Sequence, residues 1–501
     1  MRRARVGSII ESGSFFVLLA SEGRSAMPNR TAQAAALLLL ALPTAAVAQR
    51  PANFGPQARE YISVDGAVAI TNVRVIDGMG AAPSEGQTVV LSGGKITAVG
   101  PAGSVAVPAG ARTIDGSGKT VLPGMVGLHD HSYYTTAGRV VQSSFTAPLL
   151  YLAAGVTTVR TTGANNPYAE LNLKRSVDRG DFPGPRLFIT GPYLTGPGNG
   201  AGSTMVGLNN EEEARRVVAY WAAEGVSWLK FYTGVSRAAM KAAIDEGHKH
   251  GLKFTGHLCS VPYKEAVALG IDQLEHGLFA NSDYDKTRKP DQCSPNMMGS
   301  FSNLDVSSEE VKSTFKAMID KGVGLTSTLV VYELFVPNRP PLEQRVLDAM
   351  STDAKNEYLT SRAQIAATNS GIPLEIFKTG MKYELAFAKA GGLLGSGVDP
   401  TGNGGALFGY GDQRNVELLV EAGFTPVEAI QVATSNGAKV LGIFGQTGSI
   451  AVGKNADLVL VSGNPASRIA DIKNVEMVFR DGVGYDSAKM VAAVRGLVGV
   501  R

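Results

Sequence analysis

Between residues 119 and 447, short apolar runs alternate with segments whose apolar residues recur every three or four positions. The runs are Val156–Arg160, Arg186–Thr190, Trp228–Tyr232, Lys253–His257, Gln273–His276, Val323–Thr328 and Leu393–Val398. With the run that follows Pro123-Gly124 and ends at His131, they make eight strands. Helix signals lie between them. Asn210 precedes three glutamates, acids suited to a first turn. Ser307-Ser308-Glu309-Glu310 and Thr425-Pro426-Val427-Glu428 read as capping boxes. Gly251 closes a helix ending at Lys249-His250. Eight β/α units predict an α/β fold, a (β/α)8 TIM barrel over 119–447.

The two chain ends have strand patterning instead. Ala67–Ile76, Gln87–Leu91 and Lys95–Val99 are β-rich and separated by glycine turns, and the pattern returns at Ala456–Val461 and Val475–Arg480. Both ends are expected to build one small β-sandwich domain from 65–118 plus 448–485, followed by a helical tail from Ser487. The connections 277–306 and 330–375 are long and carry Pro290, Pro295, Pro337, Pro340 and Pro341, so they read as rigid loops over a site.

Composition adds little to this picture until the N-terminus. The chain has 501 residues, 44% hydrophobic and 18% charged, enough for one large domain and a smaller one. Its net charge of +3 resides in residues 1–48, where Arg2, Arg3, Arg5, Arg24 and Arg30 face only Glu11 and Glu22. The remainder is balanced, which argues against nucleic acid as a partner. Met27, Arg30, the apolar run Ala34–Leu42 and Ala46-Val47-Ala48 have the form of a signal peptide over 27–48. This predicts a periplasmic or secreted protein with no membrane span after processing, and makes 1–26 a mis-assigned start. The cysteines Cys259 and Cys293 can pair in such a compartment, although sequence does not show their proximity.

The chemistry lies at the strand ends. His129 and His131, two apart on a strand, point to one side and can share a metal. Later strand ends supply Lys230, His257, His276 and Asp399. Four of the six histidines therefore fall on these ends; His248 and His250 sit near a helix C-terminus, in a solvated role. Lys230 as an ammonium would repel a metal. As a neutral amine it can add carbon dioxide and become an anionic, N-carboxylated ligand. Four imidazoles, a carbamate and a carboxylate suit zinc or a similar ion, two of which can share a hydroxide nucleophile. Asp399 is the expected general base, passing the proton to a leaving amine. Tyr232 lies on the same strand face as Lys230, placed to bind substrate.

This combination resembles the binuclear, metal-dependent branch of the amidohydrolase superfamily. The C-terminal segments Gly423-Phe424-Thr425-Pro426 and Gly453-Lys454-Asn455-Ala456-Asp457 are similar to its imidazolonepropionase-related, Xaa-Pro dipeptidase-like group. The resemblance covers about 65–485. It implies two divalent metals, with His129, His131 and Asp399 on one, His257 and His276 on the other, and Lys230 bridging. It also implies hydrolysis of amide bonds in small molecules or short peptides, and a homo-oligomer is compatible with it. Two departures concern the substrate. Gly127 stands where many members have aspartate, and 191–200 lacks the histidine of a Gly-Gly-His segment common in dipeptidase-like relatives. Ester, lactone or phosphotriester hydrolysis, mononuclear deamination and a non-enzymatic scaffold are the alternatives; the complete ligand set argues against the last, and Lys230 against deamination.

Overall fold

The computed structural model describes residues 50–197 and 204–500. The signal segment and the mis-assigned start expected before residue 49 lie outside the described residues.

Eight parallel strands form, seven of them where the runs placed them and the third shifted from Arg186–Thr190 to the residues after Ile189: β1 (Met125–Asp130), β2 (Val156–Thr161), β3 (Thr190–Thr195), β4 (Trp228–Phe231), β5 (Lys253–Gly256), β6 (Gln273–Glu275), β7 (Gly324–Ser327) and β8 (Leu394–Ser396). All pair in parallel and are buried almost throughout, which explains why they read as continuous apolar runs. Their ladders fall into two sheets and do not close into one ring. One runs from Arg186–Phe188 through β2, β1, β8 and β7 to β6; the other joins Val206–Gly207, β3, β4 and β5. The sheets meet through Ile189, the single residue between Phe188 and β3. Opposite, the Asp272 amide donates to the Phe254 carbonyl at 3.1 Å.

The chain ends join one nine-stranded sheet, as their patterning implied. Its central strands separate two cores with period two. On Leu458–Ser462, Leu458 and Leu460 enter a small core with Val121 and Phe479. Val459 and Val461 face the large core with Leu122 and Val478. One boundary moves: Lys119–Pro123 pairs with Leu458–Ser462, so the parallel layer starts after Gly124 rather than at 119. Only glycine fits there, since a Cβ would lie 2.1 Å from Thr157 Oγ1.

Helix starts follow the sequence with one correction. Asn210 caps Glu211–Ala223, and Thr425 with Glu428 forms a reciprocal box. Ser308 caps Glu309–Asp320 alone: the third helical residue is Val311, which has no side-chain acceptor to return the bond. Gly251 follows its helix with φ +74°, as a C-terminal glycine should. The segment 330–375 is largely helical rather than loop, with Gln344–Ala349 and Thr352–Thr368 beyond its prolines and Ser351 capping the second. Cys259 and Cys293 form a disulfide with Cα atoms 4.9 Å apart, tying the segment after β5 to the one after β6. Ser487–Val494 is helical. Among the described residues no helix is long and apolar enough to cross a membrane.

Candidate metal centre

The predicted residues converge where β1, β4, β5, β6 and β8 end. His129 and His131 leave β1 on one side, as period two requires. Asp399 follows β8, and its amide donates to the His129 carbonyl at 2.7 Å, fastening the two strand ends together. His276 and Asp399 both have left-handed backbone, φ +69° and +48°, conformations that non-glycine residues hold only under surrounding constraint.

His129, His276 and Asp399 form the tightest group, each offering a ligand atom within 4.8 Å of the others. His131 Nε2 approaches Asp399 Oδ1 at 3.4 Å. The His257 and His276 ring centroids are 4.3 Å apart. Lys230 Nζ, almost wholly buried, lies 3.1 Å from His129 Nε2. Of the sequence-assigned ligands, the tight group thus mixes members of both expected metal sites.

The hydrogen bonds set which ring nitrogen is free. His131 Nδ1 donates to the Gly163 carbonyl at 3.0 Å, so its Nε2 carries the lone pair. His129 Nδ1 donates to Glu275 Oε2 at 2.8 Å, likewise leaving Nε2 as the ligand atom. His276 Nδ1 is 2.8 Å from Thr328 Oγ1. Nε2 of His131 and of His276 are buried without a hydrogen-bond partner among the described residues. Buried polar atoms are costly to leave unpaired, and convergent ones fit a metal ion.

Burial keeps these histidines neutral, the form that ligates. It lowers His129, His131 and His276, and brings His257 down to about 4. It also lowers Lys230 to about 8, so a neutral amine is accessible near physiological pH. Burial works against ionisation of Asp399, whereas positive charge on its neighbours His129, His131 or Lys230, when protonated, holds the carboxyl below its usual range. The donor set fits one or two divalent ions of the zinc type.

Glu275 and Arg160 were not singled out from sequence. Glu275 Oε1 accepts from Arg160 and Thr255 while Oε2 holds His129, and neither charged side chain is exposed. The signal was present: an arginine and a glutamate inside apolar strands need partners. Their place was hidden because Glu275 precedes His276, and neighbours on a strand face opposite sides. The left-handed His276 breaks that rule and turns both inward.

A cavity of about 510 Å³ adjoins the cluster, lined by Lys230, His257, Asp399, Tyr232 and other side chains. Tyr193 and Tyr133, also lining it, are hydrogen-bonded through their hydroxyls. His248 and His250 are exposed and pair with Asp272 and Glu246, away from the centre.

Comparison with known proteins agrees with this geometry. The model of the family described as "Amidohydrolase family" matches residues 120–483. A Xaa-Pro dipeptidase solved with methionine in its active site is 20% identical, with a TM-score of 0.62 over 84% of this chain and 100% of its own. Phenylurea hydrolase B is 21% identical, with a TM-score of 0.63 over 87% and 100%. Ochratoxinase of A. niger is 18% identical, with a TM-score of 0.61 over 86% and 99%. A curated 5'-deoxyadenosine deaminase of Methanobrevibacter smithii is 43% identical over 58 residues, only 13% of its length and 12% of this chain. A family match that runs from the strand before β1 to the last strands of the nine-stranded sheet encloses the whole site: the chain belongs to the amidohydrolase family.

Proposed function

We propose that this protein hydrolyses a carbon–nitrogen amide bond of a small molecule or short peptide, using two divalent metals, Asp399 as general base and an N-carboxylated Lys230. The observation that carries the reading is the convergence of buried histidines on Asp399, with Nε2 of His131 and His276 left unpaired. His129, His131, His257, His276, Lys230 and Asp399 would hold the ions. When bound, these activate water and polarise a carbonyl. Asp399 accepts a proton from the attacking water and delivers it to the departing nitrogen. Water thus adds hydroxyl to the carbonyl carbon and hydrogen to nitrogen as the C–N bond breaks. Tyr232 lines the cavity beside Lys230 and binds substrate there. Neighbours in fold named as a dipeptidase, a phenylurea hydrolase and ochratoxinase support an amide-type substrate.

The same reading carries the larger organisation. Continuity through Ile189 and the Asp272–Phe254 bond support joining the two parallel sheets into one (β/α)8 barrel. The separate small core supports a β-sandwich domain from both chain ends. The disulfide supports the periplasmic or secreted location expected from the signal segment.

Metal content and Lys230→Ala test the centre together. Near two metals per chain are expected, with less metal and little turnover in the variant. Acetate or propionate should restore part of both by entering the space left by the side chain. Full metal and activity in Lys230→Ala, unmoved by added carboxylate, would transfer the reading to a mononuclear deaminase. The tight three-residue group of His129, His276 and Asp399 is the observation that favours this second reading.

A further inference from the structure

Resting on the hydrolase reading, we infer that the preferred substrate is an uncharged aromatic amide or anilide, not one with a charged group beyond the scissile bond. The cavity walls are the argument. Tyr133, Tyr193 and Tyr232 line it together with Val140 and Met205. The Tyr193 and Tyr232 rings meet edge to face, with centroids 5.5 Å apart. Tyr193 also presents its face to Lys230 Nζ, 5.1 Å from the ring centroid. Such walls favour a flat, apolar group packed against ring faces and edges.

The polar groups on these walls are neutral. Asn165 and Thr204 are hydrogen-bonded to each other at 2.8 Å. The Tyr133 and Tyr193 hydroxyls are hydrogen-bonded to each other. Among the described residues lining the cavity, Lys230 and Asp399 are the charged side chains, and both belong to the metal centre. A remote carboxylate or ammonium on the substrate would therefore lose water without gaining an ion pair, whereas neutral amide, hydroxyl or carbonyl groups can be met by Asn165 and the tyrosines. At about 510 Å³, the cavity matches a ligand of one or two rings.

The test uses three anilides with one scissile bond: para-ethylacetanilide and its analogues carrying a sulfonatomethyl or a trimethylammoniomethyl group instead. The methylene limits electronic differences, and a sulfonate is a poor metal ligand. With the metal-loaded full chain, kcat/KM should be ~10-fold or more higher for the neutral compound than for either ion, the cost of desolvating an unpaired charge. Val140→Arg, at an exposed position on the cavity wall, should raise the sulfonate's rate relative to the neutral compound by about threefold or more. Equal rates, preference for an ion, or an unchanged ratio in Val140→Arg overturns the assignment. Affinities of the three compounds for the metal-loaded protein, measured by calorimetry, separate the two levels of the claim. Tight, neutral-first binding without cleavage removes the amide-hydrolysis reading and keeps the cavity's preference. Ion-first binding removes the preference itself.

Discussion

Two buried polar clusters are built on opposite principles. Between the parallel strands and the nine-stranded sheet, Arg186 donates to Asp457 Oδ2 at 2.9 Å and to Asp481 Oδ1 at 2.6 Å. Arg480 Nε lies 3.6 Å from Asp481 Oδ2, so two arginines face two aspartates, and Asp457 is further held by Thr447 and the Asp481 amide. At the C-terminal strand ends, four neutral imidazoles, a lysine and one carboxylate crowd together with two Nε2 atoms unpaired. The first cluster pairs opposite charges within the chain, although Arg186 Nε and Asp481 Oδ2 are left without a hydrogen-bond partner. The second needs something from outside. Convergence of unmatched lone pairs, not burial of polar groups as such, distinguishes a site from a staple.

The largest effect should come from Asp399→Asn. The amide keeps the shape but accepts no proton, so kcat should fall ~10²–10⁴-fold while the fold remains. Turnover near wild type with metal retained would remove Asp399 from its role.

Arg186→Met makes the converse test. It strands Asp457 and Asp481, and a broken buried pair costs about 3–5 kcal/mol. Urea unfolding should register that loss, while metal affinity of the folded fraction stays unchanged. A large fall in affinity would mean that the two clusters are coupled.

Glu275 lies between the two types, because Arg160 balances its charge while His129 uses its other oxygen. Glu275→Gln keeps the volume but can no longer accept as a carboxylate. Metal affinity, measured by competition with a chelator, should weaken ~10–100-fold. Unchanged affinity would make this contact part of the staple.

The smallest effect tests the criterion itself. Both oxygens of Glu384 are also buried without hydrogen-bond partners, yet they do not converge with other ligands. Burial raises this carboxyl to about 8, which explains the unpaired oxygens without a ligand: the group is protonated. The folded state then holds a proton that the unfolded chain releases near pH 4.5. This contribution is present below that pH and lost as pH rises through about 8. Between pH 6 and pH 8, wild type should lose roughly 2 kcal/mol that Glu384→Gln does not. Equal slopes in urea midpoints against pH would refute the assignment.

Periodicity and punctuation made much of this molecule legible. Alternation placed His129 and His131 on one side of β1, and the apolar runs located seven of the eight parallel strands, the third lying just beyond its run. Strand ends marked Lys230, His257, His276 and Asp399. These are local properties, fixed by the reach of a few residues along the backbone. Tertiary structure decided what depended on distant partners. Ser351 began a helix inside a supposed loop, and Gly124 handed the chain from one sheet to another because Thr157 occupies the space beside it. Cys259 met Cys293 across 34 residues. Left-handed backbone at His276 turned two neighbouring side chains inward, giving His129 the carboxylate that orients it. Sequence specified the residue types that can bind metal; only the folded chain left Nε2 of His131 and of His276 without a partner, because each Nδ1 is engaged by a residue far away in the chain, Gly163 and Thr328.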